Sequence, residues 1–459
     1  MNTEKIIQKQ KMDSPFIGKL LFSMSLPAIF SMLIQALYNV VDSLYVSRIS
    51  ETNNELTALN YAFPIQMIVL AISLGIGVGT SSVISRCLGA KNQQKADFAA
   101  KTGLLITLIG YVITLICSFF VPKLFMMIYN DSIQIENLSI QYLQIVMTFS
   151  IGSYFEVVIS KILQGTGNMI VPMISQLIGA ITNIILDPIF IFNAHEGLGL
   201  PFGLGLGVRG AAIATVIAQC ISGLFVTSII LFKKHDVSFN FKNYKIESII
   251  IKEIFSVGLA VTIMNSINAL TTIILNKILS SNGVTILGTY FKVQSFIFMP
   301  VFGLTQGAMP IMGYNYGARE KGRFNRTFKL TLFTSLIIMS VGFIVIQFGS
   351  QFITSSFKLG ILSTPAIHAF RIISLCFVPA AISIIFSSMY QAVGHGYKST
   401  LMSILRQAII LIPIALVLKI ITQTDDSVWW AYPISETLCC LIFIFITIQT
   451  LKKLFNNIE

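Results

Sequence analysis

The stretch Gly75-Ile-Gly-Val-Gly-Thr-Ser-Ser-Val-Ile-Ser-Arg-Cys-Leu-Gly-Ala90 has a counterpart in Gly303-Leu-Thr-Gln-Gly-Ala-Met-Pro-Ile-Met-Gly-Tyr-Asn-Tyr-Gly-Ala318. Gly75, Gly79, Gly89 and Ala90 fall on Gly303, Gly307, Gly317 and Ala318 at one offset of 228, and a basic loop follows each copy. Gln164-Gly-Thr-Gly167 and Gln391-Ala-Val-Gly394 recur at nearly the same offset. Tandem halves mark a repeat architecture, and in an apolar chain the seam between such halves is where a solute binds and moves.

Composition sets the solvent. The chain has 459 residues, 54% hydrophobic and only 11% charged, where a soluble domain carries about a quarter charged residues. Twelve apolar runs reach the ~20 residues that a helical span needs. They are 18–46, 56–85, 98–122, 133–162, 169–193, 209–232, 247–279, 284–313, 327–353, 366–393, 399–421 and 428–451. The short period-2 segments of a membrane barrel are absent from the sequence. We therefore expect an all-α membrane protein with twelve transmembrane helices in two pseudo-twofold-related six-helix lobes. The lobes are 1–235 and 253–459, joined by a polar linker over 236–252. Six spans per lobe is an even number, so the repeat is parallel and its axis runs along the membrane normal.

The net charge of +12 follows from topology. Assigned to alternating loops, 23 Lys and Arg fall on the side of the termini, counting Lys161, and seven on the other, with Lys292 inside a span. Positive loops stay inside, so both termini are expected in the cytoplasm of a cell whose plasma membrane holds the chain. Nucleic acid is not needed to explain the charge. The first fifteen residues lack a short apolar stretch with a cleavage site, so the first span is expected to direct insertion. Six cysteines without a CxxC spacing read as small hydrophobes. Gly205-Leu-Gly-Val-Arg-Gly210 has the GxGxxG form but precedes a membrane helix, so it reads as a turn, and no P-loop occurs. No cofactor is expected; an ion gradient must supply the energy.

Charged groups in lipid-spanning helices are costly and mark function. Asp42 closes Gln35-Ala-Leu-Tyr-Asn-Val-Val-Asp42 on helix 1, and Asp187 lies in Asn183-Ile-Ile-Leu-Asp-Pro188 on helix 5. At ~1.5 Å per residue Asp187 lies roughly 27 Å along its helix, and Asp42 is likewise in an outer half. Asn183 and Asp187 share a helical face, as do Gln35, Asn39 and Asp42. Low dielectric disfavours the ionised acid, so the pair suits uptake and release of a proton. The alternative is an ionised pair holding Na⁺ with Asn183 and backbone oxygens that Pro188 frees. Aligning Phe22-Ser-Met-Ser-Leu-Pro with Phe255-Ser-Val-Gly-Leu-Ala puts Leu275 opposite Asp42, and the Gln164/Gln391 register puts Ile414 opposite Asp187. The acids then belong to the first lobe alone.

Lys292 should stand ~12 Å into helix 8, to meet a carboxylate, contact substrate or snorkel to water. Glu156 is expected near the inner end of helix 4, where Lys161 offers a partner, and Glu436 near the outer end of helix 12. With Gln35, Tyr38, Asn39 and Gln294 they complete the candidates for the cavity wall. The 17 Met and 35 Phe suit an adaptable apolar cavity.

Tyr38-Asn-Val-Val-Asp42, Leu88-Gly-Ala90, Asn183-Ile-Ile-Leu-Asp-Pro188 and Gly313-Tyr-Asn-Tyr-Gly-Ala318 resemble the multidrug and toxic compound extrusion (MATE) family, in its DinF-like and MepA-like bacterial branch. The resemblance covers nearly the whole chain. It implies a V-shaped cavity between the lobes and export of cationic amphipaths against entering H⁺ or Na⁺. It also implies that Asp42 and Asp187 are the coupling acids, with Asn183 beside them. The NorM-like branch has a glutamate within helix 7, ten or so residues past its Gly-Leu-Pro motif. Here Gly258-Leu-Ala runs into Asn265, Ser266 and Asn268, so H⁺ is favoured over Na⁺. The chain is thus expected to be a monomeric antiporter for small organic cations rather than an enzyme. A flippase for a lipid-linked sugar would want a strongly cationic cavity. A membrane-embedded transferase would want paired acids for Mg²⁺, and the only adjacent pair is Asp425-Asp426 in an outer loop.

Overall fold

The computed structural model describes residues 11–46, 54–127, 132–194, 201–233, 235–242, 244–357 and 360–454. Over 38–46 it describes the side chains of Val41 and Tyr45 alone. Long apolar segments can satisfy their backbone in lipid only as helices or closed barrels, and the described residues contain helices with a single isolated bridge, Asn193 to Leu204. We number the spanning elements of the first half α1 (Ile17–Val46), α2 (Asn54–Gly89), α3 (Gln93–Ser118), α4 (Ile133–Thr148 with Ile151–Gly165), α5 (Ile170–Ile191) and α6 (Gly207–Phe232). The second half supplies α7 (Ser248–Ile278), α8 (Ser281–Gly317), α9 (Lys321–Ser356) and α10 (Ser363–Ser374 with Phe377–Ala392), then α11 (Gly396–Thr422) and α12 (Ala431–Lys453). Among the described residues ten helices cross by length and composition, and the two bent pairs bring the number to twelve. All twelve fall where the apolar runs predicted them.

The bends repeat as the sequence does. α4 turns by 51° and α10 by 46°, and the breaks after Thr148 and Ser374 lie at nearly the repeat offset. Gly167 and Gly394, which end these helices, both take positive φ, +92° and +84°, a conformation glycine adopts without strain. The seam repeats too. A Cβ at Gly89 would collide with the carbonyl of Tyr314, and one at Gly317 with the carbonyl of Arg86. Gly75 and Gly79 of α2 lie on Gly258 and Ile254 of α7; Gly303 and Gly307 of α8 lie on Ile29 and Ser25 of α1. These reciprocal approaches are pseudo-twofold symmetry written in glycine. They also correct one expectation: Ser25 answers to Ile254 and Ile29 to Gly258, an offset of 229. Thr271, rather than Leu275, therefore stands opposite Asp42.

Each lobe has its own core. Tyr142, Tyr154 and Val158 anchor one, Tyr290, Phe370 and Phe377 the other. Large apolar side chains turned outward, such as Phe348 and Phe352 of α9, make the lipid face. Hydrogen bonds between the lobes cluster towards the end that carries the termini, hereafter the terminal end. Ser25 Oγ donates to Leu304 O, Ser82 Oγ to Gln391 O at 2.6 Å, and Thr262 Oγ1 to Ala71 O at 3.1 Å. Arg86 reaches Glu253 at 3.3 Å and Val393 O at 3.2 Å, and Lys95 also pairs with Glu253, at 2.6 Å. Ahead of α1, Asp13 accepts from Tyr314, while Met12 O and Ser14 O accept from Arg323. These bonds fall in the terminal-end halves of α7 and α8, and reach as far as Met32 on α1 and Ala71 on α2. Hydrogen bonds and ion pairs thus close the lobes together at the terminal end.

Candidate functional site

Three polar clusters lie inside this frame. The first is in the N-terminal lobe. Asp187 is fully buried and Asn183 is 1% exposed, in an α5 that packs between α1 and α6. Asn183 Nδ2 donates to Asp187 Oδ1 at 3.1 Å and to Thr215 Oγ1 of α6 at 3.4 Å. The four-residue spacing stacks the amide one turn below the acid on the same face. Asp42 lies on α1, the neighbour of α5, but its side chain, with those of Tyr38 and Asn39, is outside the described residues. Gln35 is exposed.

The second cluster is at the seam, and the sequence reading missed it. Lys161, counted there among the loop cations, is 8% exposed and passes beneath Gly77 of α2. Gly77 is twelve residues short of the end of α2, or ~18 Å, in a hydrocarbon layer of about 30 Å. The ammonium donates to Gln164 Oε1 at 3.0 Å and, across the seam, to Gln306 Oε1 of α8 at 2.8 Å. Gln306 Nε2 turns to the thioether of Met32 on α1 at 3.2 Å. Glu156 does not form the expected pair with Lys161. It accepts from Ser160 at 3.0 Å and from Ser175 at 3.2 Å instead. Five residues on a helix separate two side chains by about 140°, so the acid and the ammonium point apart.

The third cluster is in the C-terminal lobe. Glu436 of α12 pairs with Arg406 of α11 at 3.1 Å, both largely buried. Beside it Gln407 donates to Asn268 Oδ1 and accepts from Thr271 of α7. Both α7 residues stand opposite Asn39 and Asp42 in the repeat, so an amide and a hydroxyl occupy the places of an amide and an acid. Past Gly258-Leu-Ala, α7 carries the amide Asn265, turned back onto Val261 O at 2.8 Å. Lys292 is exposed, and Gln294 is half-buried. Lys292 lies eleven residues, about three turns, before Gly303 on α8, on the face that meets α1 nearer the terminal end. No group of three or more His, Cys, Asp or Glu able to hold a metal occurs among the described residues.

Two parallel lobes of membrane-spanning helices, bonded together at one end, with acids and an ammonium buried within the spans, have the build of a membrane transporter. The chain belongs to the MatE family, whose signature it matches twice, over 27–189 and 257–417, once in each lobe. It is 26% identical over 446 residues to "Multidrug export protein MepA" of Staphylococcus haemolyticus (strain JCSC1435), with 95% of each chain covered. It is 27% identical over 441 residues to the protein of the same name from Staphylococcus aureus (strain NCTC 8325 / PS 47), covering 93% and 92%. The fold is that of a structure described as the outward-facing conformation of a multidrug resistance MATE family transporter of the MOP superfamily, with TM-score 0.89, 24% identity, and 98% and 100% of the two chains covered. It is also that of MATE in the straight conformation, with TM-score 0.89, 25% identity and the same coverage.

Proposed function

We propose that the chain is an antiporter that exports amphipathic organic cations across the cytoplasmic membrane in exchange for entering H⁺. Export of several unrelated compounds comes from the relatives' name, multidrug export protein. The observation that carries the ion assignment is Asp187, fully buried in a spanning helix and held by the amide of Asn183. A buried acid at the wall of an alternating cleft takes a proton where water reaches it and releases it when the other side opens. Asp42 is its partner in this reading, and Na⁺ held by Asp42, Asp187 and Asn183 is the alternative. The carriers of motion are the lobes 1–235 and 253–459, with 236–252 as the hinge strap. With both termini in the cytoplasm in this reading, the end at which the lobes are bonded together faces inward. Neither cofactor nor second copy is called for. A lipid-linked pyrophosphate would want several convergent cations, and the cleft offers Lys161 and Lys292 among the described residues.

Vesicles holding the purified protein, tested with a fluorescent organic cation and with pH and Na⁺ gradients imposed separately, decide the ion. Transport should follow the pH gradient in sodium-free buffer and collapse on adding a protonophore. Transport that requires Na⁺ and ignores the pH gradient would assign the site to sodium. Single cysteines at Asn240 and Gly203 test the topology. An impermeant thiol reagent should label position 203 in intact cells; labelling of position 240 would reverse the orientation.

A further inference from the structure

We propose that Lys161 reads a carboxylate on the transported molecule, so that the preferred cargo carries an anionic group beside its cationic one. The proposal rests on the export reading above and narrows its substrate class.

An ammonium near the middle of the bilayer is costly unless it is paired or used. Lys161 is buried, and its hydrogen-bond partners are two neutral amide oxygens, one in each lobe; Glu156 acts on it only through space. The nearest acid on its own helix, Glu156, is turned away and held by two serine hydroxyls. Because an ammonium can only donate, Gln164 and Gln306 must present their oxygens to it, and their Nε2 groups face elsewhere. Gln306 Nε2 then rests on Met32 Sδ, a weak acceptor. The third hydrogen on Nζ and the amide of Gln306 therefore form a donor set served below its capacity. A carboxylate is the group that such a set fits, through charge-assisted bonds stronger than those to an amide.

Position turns this into a transport device. Gln306 belongs to the C-terminal lobe and Lys161 to the other, so their bond exists only while the terminal end is closed. When the lobes part there, Gln306 leaves and the ammonium faces the cleft. A cargo carboxylate replaces the amide oxygen in that state, and is displaced when Gln306 returns. Glu156 lies on the same half-helix, Ile151–Gly165, pointing to another side. One short segment thus offers a positive and a negative pole, fixed apart by helix geometry, to a molecule that carries both charges.

The test uses two rhodamines with one aromatic body, a zwitterion with a free carboxyl and its cationic ethyl ester. Binding of each to the full-length protein in nanodiscs is read by fluorescence anisotropy. The wild type should bind the free acid more tightly than the ester. Lys161→Gln should raise the ratio of acid Kd to ester Kd about tenfold, the size of one charge-assisted hydrogen bond, and Lys161→Arg should restore part of the preference. Because the readout is a ratio, a general loss of folded protein cancels from it. A ratio unchanged within about twofold, well under the ~1.4 kcal/mol of a tenfold effect, would overturn the assignment. Wild-type protein that binds neither dye would instead count against the export reading itself, and the lysine assignment would fall with it.

Discussion

α5 and α11 hold equivalent places in the two lobes, yet they differ in backbone and in charge. α5 runs as a helix over Ile170–Ile191 and sets Asp187 against the amide of Asn183, which also donates to Thr215 of α6. α11 widens into π turns over Ile404–Leu411, just ahead of Pro413, whose ring removes one backbone donor. The carbonyl of Arg406 there takes the hydroxyl of Ser435 on α12, and the guanidinium is neutralised by Glu436. A side chain inserted into the backbone ladder is an ordinary cause of such a local distortion. One scaffold thus holds an acid bound by an amide in one lobe and a closed ion pair in the other. In our reading the first lobe changes its charge during the cycle and the second keeps it.

The largest effect should come from the acid. Asp187→Asn keeps the shape of the site and removes its charge, so gradient-driven export should fall to the level of empty vesicles while the protein stays inserted and folded. Asp42→Asn should cause a similar but less complete loss. Export and resistance equal to wild type, at matched membrane levels, would end the claim that the N-terminal lobe is the charge-changing one.

Next is the ion pair. Removing one partner strands the other in a largely buried site, which costs about 3–5 kcal/mol. Glu436→Gln should therefore lower the thermal stability of the detergent-solubilised protein strongly. The double variant Arg406→Met with Glu436→Gln should recover most of that loss, since no lone charge remains. If the single variant were as stable as wild type but lost export, Glu436 would belong with Asp187 and the contrast between the lobes would fail.

Much of this was legible in the chain. The twelve spans were, because lipid demands long apolar helices, and so was the repeat, because close helix approach demands glycine at fixed intervals. Asn183 and Asp187 could be put together since a four-residue spacing fixes a common face. The rest depended on contacts that spacing does not encode. Lys161 was counted among loop cations because α4 looks like one straight span, whereas its 51° bend and its end against Ser81 bury the lysine at mid-depth. The Arg406–Glu436 pair joins residues of two helices whose facing sides depend on the π turns. The likeness of Leu-Pro to Leu-Ala suggested an offset of 233, and only the reciprocal glycine contacts show it to be 229.

Those contacts supply a third test. Gly89→Ala and Gly317→Ala each place a Cβ on a carbonyl of the opposite lobe, at Tyr314 and Arg86 respectively. Overpacking of this kind typically costs 1–3 kcal/mol, so about that much is expected here, charged against the arrangement closed at the terminal end. Both variants should shift the lobes towards opening there, measured as reactivity of a cysteine placed at Ser256. The two shifts should match, since the seam is pseudo-symmetric. A large shift for one and none for the other would mean that the glycine symmetry is geometric but not energetic.

The smallest effect should appear where the lobes depart from each other at the same turn. Asn168 follows Gly167 in the first lobe and caps the next helix through Val171 N at 3.3 Å, whereas His395 follows Gly394 in the second. Arg86 of the first lobe lies against Gly394, and Lys398 lies one turn on from His395. Burial, then Lys398 and Arg86, hold the imidazole below its ordinary pKa. The unfolded chain therefore takes up this proton before the folded one does. Stability linked to the neutral ring is present above about pH 6.5, the ordinary imidazole value, and declines as pH falls through it towards the lower folded value. His395→Asn, which copies the first lobe, should remove that component and flatten the fall in melting temperature between pH 7 and 5. The comparison is between the two proteins across the same pH range, because carboxylates titrate in both. Parallel curves would show that the histidine is hydrated at this turn, and that the two lobes meet the terminal-end water in the same way.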